Sequence, residues 1–350
     1  MNQQAIFKSL VQNAFDFLER GIADFGNSPK YSVIHFCAAV EMFIKARLMQ
    51  EHWSLIVSKP DQADLSKFIV GNFESVTLAE ARSRLSAIAH EEIPNEAFSS
   101  FRELANHRNK IIHFFHADIE GDERARETIV AEHCRSWFQL HRLLCRWNDH
   151  FGDFETKISR ADHSMKEHRQ YLSAKYKALN KELDVFRNSD NPPRTCNSCG
   201  FKSAIPDPID DHIAIVKCKV CDHIETQVQI ECPQCEKTIT IANEGYGTCE
   251  HCNKIIEPDD IGEALADHGA AHFAAQNGDD SLEPASCDQC DGYQTVINRS
   301  GIYFCTNCFG IFDHIECCEW CNEPNTGDME HSYVTGCNHC EGHTGWHKDD

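Results

Sequence analysis

The chain has 350 residues, 33 Lys+Arg against 55 Asp+Glu, and 20 cysteines, for a net charge of -22. That length calls for two or three domains rather than one core. The charge is lopsided: residues 1–187 balance to -1 and residues 188–350 to -21, which excludes general polyanion binding as the work of the second half.

The opening MNQQAIFKSL is polar, and no apolar run approaches the roughly 18 residues of a membrane span. A cytoplasmic, reducing setting without membrane association is expected, where paired cysteines hold metal more often than they form disulfides.

The first half reads as helical. Ser28 and Pro29 supply a cap and first-turn signal ahead of SVIHFCAAVEMFIKARL. In that stretch Val33, Phe36, Cys37, Val40, Phe43, Ile44 and Leu48 fall at helical spacing. Further amphipathic stretches lie near 3–25, 77–90, 95–117 and 122–151, and no Val- or Thr-rich alternating run competes with them. An all-α bundle is therefore expected over 1–152. In 153–190, Ile158, Met165, Leu172, Leu179 and Phe186 recur every seven residues. The stripe is narrow because the companion positions are Ala161, His168, Lys175 and Glu182, which implies a long connecting helix for packing or spacing in preference to a coiled-coil dimer.

The segment NSDNPPRT then breaks the helical pattern with two prolines. Beyond it, short β-like runs alternate with eight Cys-x-x-Cys pairs. Grouped by neighbourhood, Cys196 and Cys199 join Cys218 and Cys221 across 18 residues, and Cys232 and Cys235 join Cys249 and Cys252 across 13. Cys287 and Cys290 join Cys305 and Cys308 across 14, and Cys318 and Cys321 join Cys337 and Cys340 across 15. Loops of this length suit a β-hairpin that brings two cysteine knuckles around one tetrahedral ion. Iron-sulfur ligation and an interlaced pairing of knuckles stay open on spacing alone. His251 and His339, inside knuckles, read as bystanders.

Residues 196–340 thus resemble tandem zinc ribbons. The resemblance implies four structural Zn2+ ions and no catalytic metal, because four cysteines close the coordination shell. Ribbons 1 and 2 are assigned to 191–256, a helical insertion or linker to 257–283, and ribbons 3 and 4 to 284–350. The insertion carries His268 and His272 four apart without the glutamate of a metalloprotease helix, and reads as a surface or packing helix.

One stretch of the helical half, ANHRNKIIHFFHAD, mixes chemistry with core. At about 100° per residue, Phe101, Leu104, Ile111, Ile112 and Phe115 share a stripe with Arg108 in its middle. Asn109, His113 and His116 line one edge. An arginine on an apolar face is costly unless its charge is paired or used. Arg-x4-His occurs three times, at Arg47–His52, Arg102–His107 and Arg108–His113, but only in the third does Asn follow the arginine.

RNKIIH in this setting resembles the R-x4-6-H motif of the HEPN superfamily, small helical bundles found in RNA-cleaving toxins and antiviral effectors. The resemblance spans roughly residues 1–150, with its specific part confined to six. It implies a homodimer whose motif helices face one another, and cleavage of RNA by its own 2′-OH without a catalytic metal. His113 would be general base or acid, Arg108 the phosphate clamp and Asn109 an orienting donor. Lys110 would touch RNA outside the cleft. Glu41 is placed to orient Arg108, although an i,i+4 pair with Lys45 is the simpler expectation. The acidic ribbons would recognise a protein partner or restrain the nuclease. The alternative is a non-catalytic adaptor, in which Arg108 pairs with a carboxylate and His113 is a satisfied core histidine.

Overall fold

Apolar residues returning every three or four positions give each stretch of the first half one face to bury. The computed structural model describes residues 3–113, 123–266, 276, 284–299 and 301–345, in two units, Met1–Glu182 and Leu183–Asp350. Phe115, His116, His268 and His272 lie outside the described residues.

The first unit is helical. It contains α1 (Gln3–Asp24), α2 (Pro29–Glu51), α3 (Leu65–Ile69), α4 (Leu78–Ile88), α5 (Asn95–His113) and α6 (Glu123–Arg146). Helix α2 is central, packing on α1, α4, α5 and α6. Its seven apolar positions named above are all buried, and Phe43 meets Phe15 of α1 edge-on at 4.9 Å. Thr77 and Glu80 cap α4 with reciprocal bonds. Ser28 does precede α2, but at φ -140° and ψ 66° its side chain makes no cap bond, which leaves Pro29 as the start signal.

Residues 153–190 do not form one long helix. They form α7 (Glu155–Lys166), α8 (Arg169–Ala178) and α9 (Asn180–Arg187), with His168 extended at the first break. Helix α7 packs on α1 and α8 on α6, so the first unit runs to Glu182. The heptad stripe still marks the apolar face, since Ile158, Met165, Leu172 and Leu179 are buried. Buried Asp162 ties the bend: it accepts from the Tyr171 hydroxyl at 2.8 Å and pairs with Lys166 at 2.5 Å. Burial pushes the Asp162 carboxyl up, but His141, Lys166 and the buried Lys175 together hold it below its usual range.

The second unit is built on short antiparallel strands. The strands β1 (Arg194–Thr195), β2 (Lys202–Pro208), β3 (Ile213–Cys218), β4 (Ile224–Glu231) and β5 (Thr238–Ala242) form one sheet in sequence order. Strand β4 is shared, pairing with β3 of the first ribbon and β5 of the second. A two-stranded pair, β6 (Gly247–Thr248) with β7 (Ile255–Ile256), closes the second ribbon.

Helix α10 (Pro258–Leu265) follows, and it is a packing element rather than a linker. Its Ile261 and Leu265 are buried with Ile230, Ile241, Phe304 and Phe309. The third ribbon holds β8 (Val296–Arg299), β9 (Ile302–Cys305) and β10 (Ile311–Phe312); the fourth holds β11 (Glu316–Cys317) and β12 (Pro324–Asn325). Gly245 marks a close approach of ribbons 2 and 3. Its N–H donates to the Asn307 carbonyl at 2.7 Å, and a Cβ there would stand 1.9 Å from the Thr306 oxygen. Asn338 ties ribbon 4 to ribbon 3 by donating to the Cys287 carbonyl at 2.9 Å. No described helix is long and apolar enough to cross a membrane.

Candidate functional site

The sixteen paired cysteines assemble into four groups, and the grouping is the sequential one. Facing sulfurs lie 3.6 Å apart for Cys196–Cys221 and 3.7 Å for Cys199–Cys218. In the second group Cys232–Cys252 and Cys235–Cys249 are each 3.7 Å apart. Cys287–Cys308 and Cys321–Cys337 stand at 3.8 Å, and Cys290–Cys305 and Cys318–Cys340 at 3.7 Å. A disulfide needs about 2.05 Å. A tetrahedron with ligand bonds of about 2.3 Å has an edge of about 3.8 Å, the spacing seen here.

The backbone makes seven of the eight knuckles the same way. After the second cysteine, Gly200, Asp222, Glu236, Asn253, Asp291, Phe309 and Asn322 all take positive φ, between 52° and 73°. That left-handed residue turns the chain back, so the first cysteine's N–H can donate to a carbonyl five residues on, as Cys196 does to Phe201 and Cys218 to His223. The fourth group's second knuckle departs from this pattern, with Gly342 left-handed two residues past Cys340. Some N–H groups point at sulfur: Val220 and Cys221 donate to Cys218 Sγ at 3.4 and 3.5 Å. Such donors favour thiolate, and they suit a cation. Glycine, asparagine and aspartate after Cys-x-x-Cys were a legible signal for this turn; Glu236 and Phe309 were not.

On α5 and α2 the three Arg-x4-His copies separate by environment. Arg47 is buried, pairing with Glu51 at 2.7 Å and Glu91 at 3.6 Å, and His52 binds Ser54 at the following turn. His107 is held by Glu132 of α6 at 2.7 Å. His113, by contrast, is exposed at the end of α5, as are Asn109, Lys110 and Ile112. Exposure of Ile112, at 53 %, corrects its placement on the core stripe, while Ile111 is buried there as expected. Exposure of His113 also removes the core-histidine expectation.

Arg108 is about a quarter exposed and is held on both sides. Its Nη1 donates to Glu41 Oε1 of α2 at 2.7 Å, while Nε and Nη2 donate to Asn109 Oδ1 at 3.2 and 3.1 Å. Lys45 also reaches Glu41, at 3.6 Å, so the carboxylate serves both cations and the arginine is the nearer. An i,i+4 pair is visible in sequence and a contact between α2 and α5 is not, which is why Lys45 is the simpler partner to expect and Arg108 the nearer one found. Behind the ion pair, Phe36, Cys37, Val40, Phe101 and Leu104 line a small apolar cavity. Burial there pushes the Cys37 thiol up to about 12, with the Arg108 charge pulling the other way.

The last described turns of α5 therefore carry Arg108, Asn109, Lys110 and His113, with Glu41 against Arg108. Arg108 and His113, five residues apart, lie roughly 7.5 Å apart along the axis and about 140° around it. One copy of the helix encloses a phosphate poorly. Sequence reasoning missed the Glu132 partner of His107 and the closeness of Cys37 to Arg108, since neither spacing nor residue type marks a contact between separate helices. No family model, no curated protein and no solved structure matches this chain.

Proposed function

We propose that the chain is an endoribonuclease that cuts RNA by attack of the 2′-OH on the adjacent phosphate, at a site completed by a second copy of α5. The single observation that carries the reading is the α5 face itself. It presents a guanidinium held in place by Glu41 and Asn109 and, five residues on and about 140° around the helix, an exposed imidazole. Guanidinium stabilises negative charge at phosphorus, and imidazole moves a proton near neutral pH. Exposed Ile112 between them offers apolar area for the facing copy. The resemblance to HEPN domains supports the same assignment and points to the work of a toxin or antiviral defence effector.

The four tetrahedral cysteine groups fit Zn2+, which favours four thiolates in a closed shell. Their role is structural: each ion would replace the larger hydrophobic core that so short a ribbon lacks.

Full-length protein incubated with structured RNA is expected to produce discrete cuts. His113→Ala and Arg108→Ala each should slow cutting by about 10²–10⁴-fold, the span of a lost proton-transfer group or charge clamp. Unchanged rates in both variants would favour a second reading, a non-catalytic adaptor. The specific observation behind that reading is the 2.7 Å Glu41–Arg108 pair, which already satisfies the cation.

A further inference from the structure

We propose that the third and fourth ribbons form a docking face for a lysine- and arginine-rich segment of a partner protein. The inference gives a chemical class to the partner expected at the ribbons, and it stands whether or not the helical unit cuts RNA.

Charge makes the first argument. Residues 284–345 hold nine carboxylates against one arginine. That arginine, Arg299, is spent on Asp210 at 2.9 Å. From 301 to 345 there are seven carboxylates and no lysine or arginine at all. Each group of four thiolates holding a divalent ion adds a further net charge of about -2. A phosphate backbone or an anionic lipid surface is repelled by such a field, and a basic polypeptide is drawn to it.

Aromatic rings interleaved with those carboxylates make the second argument. Trp320, Tyr333 and His343 cluster with ring centroids 5.4 to 5.8 Å apart, and Tyr333 is 50 % exposed. The Glu319 N–H donates to Ser332 Oγ at 2.9 Å, which sets Glu319 and Trp320 beside Tyr333. A second pair, Tyr293 and His339, lies at 5.3 Å. Tyr293 is 55 % exposed, and its hydroxyl donates to Glu323 at 3.5 Å. Asn338 joins the two ribbons by donating to both the Cys287 carbonyl and Asp291. An exposed π-face next to a carboxylate is the pairing that guanidinium and ammonium groups select.

The test is fluorescence anisotropy of a labelled arginine-rich peptide titrated with full-length, metal-loaded protein. Saturable binding that weakens with added salt is expected. Tyr333→Ala should weaken it about fivefold or more, while Tyr333→Phe, which keeps the π-face, should stay close to wild type. Glu319→Gln combined with Glu330→Gln should weaken binding and flatten its salt dependence. Metal content, measured for each variant, identifies any that loses the fourth ribbon. If Tyr333→Ala does so, the carboxylate pair decides the matter. Absence of saturable binding, equal binding of an acidic peptide, or wild-type affinity in the carboxylate pair would overturn the proposal.

Discussion

His133 lies wholly inside the helical unit, its ring 4.5 Å from Phe36 and 5.2 Å from Phe25, with Ser32 Oγ at 3.4 Å. Burial pulls its pKa from 6.5 down to about 3, so the native protein holds it neutral. Between those values the unfolded chain takes up a proton that the native state refuses. Its contribution is therefore complete above pH 6.5 and is lost as pH falls toward 3, amounting to roughly 4–5 kcal/mol at the acid end. Denaturant melts followed by helical circular dichroism should show this slope in the wild type and a shallower one in His133→Leu; identical slopes would contradict it. Glu41 makes a second residue-scale prediction. Glu41→Gln leaves Arg108 without its charged partner at a site only about a quarter exposed, and should cost about 1–2 kcal/mol in the same melts. Because Glu41 positions the guanidinium, its loss should slow RNA cutting less than Arg108→Ala does.

Knuckle geometry carries the account at the scale of elements. Exposed Glu236 sits at φ +59°, a conformation costing a non-glycine residue about 1 kcal/mol. Glu236→Gly should therefore make ribbon 2 hold its metal more tightly in competition with a chelator, and Gly200→Val should loosen ribbon 1. Gly245→Ala is a harsher change. Its Cβ would collide with the Thr306 carbonyl, and protease sensitivity should rise where ribbons 2 and 3 meet. Which parts of this were readable in advance follows from where the information lies. Helical periodicity named seven residues that α2 buries but not Ala39, Ala46, Arg47 or Met49, which are buried as well, and cysteine spacing named all four groups. The bends in 153–190 were not readable, because neither Pro nor Gly stands at His168 or Leu179; the one at His168 is spanned by the Tyr171–Asp162 bond between two helices. The sharing of β4 between two ribbons was equally hidden, since spacing reports ligands and not sheet continuity.

The whole molecule joins a nearly neutral helical unit to a strongly acidic one that carries the four cysteine groups. Chelation should remove four ions per chain and unfold the second unit, while the helical signal of the first persists. A loss of both together would show that the helical unit does not stand on its own core. The α5 site was legible as a composition anomaly, an arginine among apolar residues, but its partner Glu41 stands 67 positions away and only the fold brings it near. The account turns on whether that site cuts RNA. Its most direct test is the chemistry of the cut ends, read by mass spectrometry after wild-type protein has acted on RNA in excess chelator, beside His113→Ala and beside residues 1–190 alone. The account predicts 2′,3′-cyclic phosphate ends from the wild type and from the helical fragment, and none from His113→Ala. Ends bearing 3′-OH, or the same cyclic ends from His113→Ala, would contradict it.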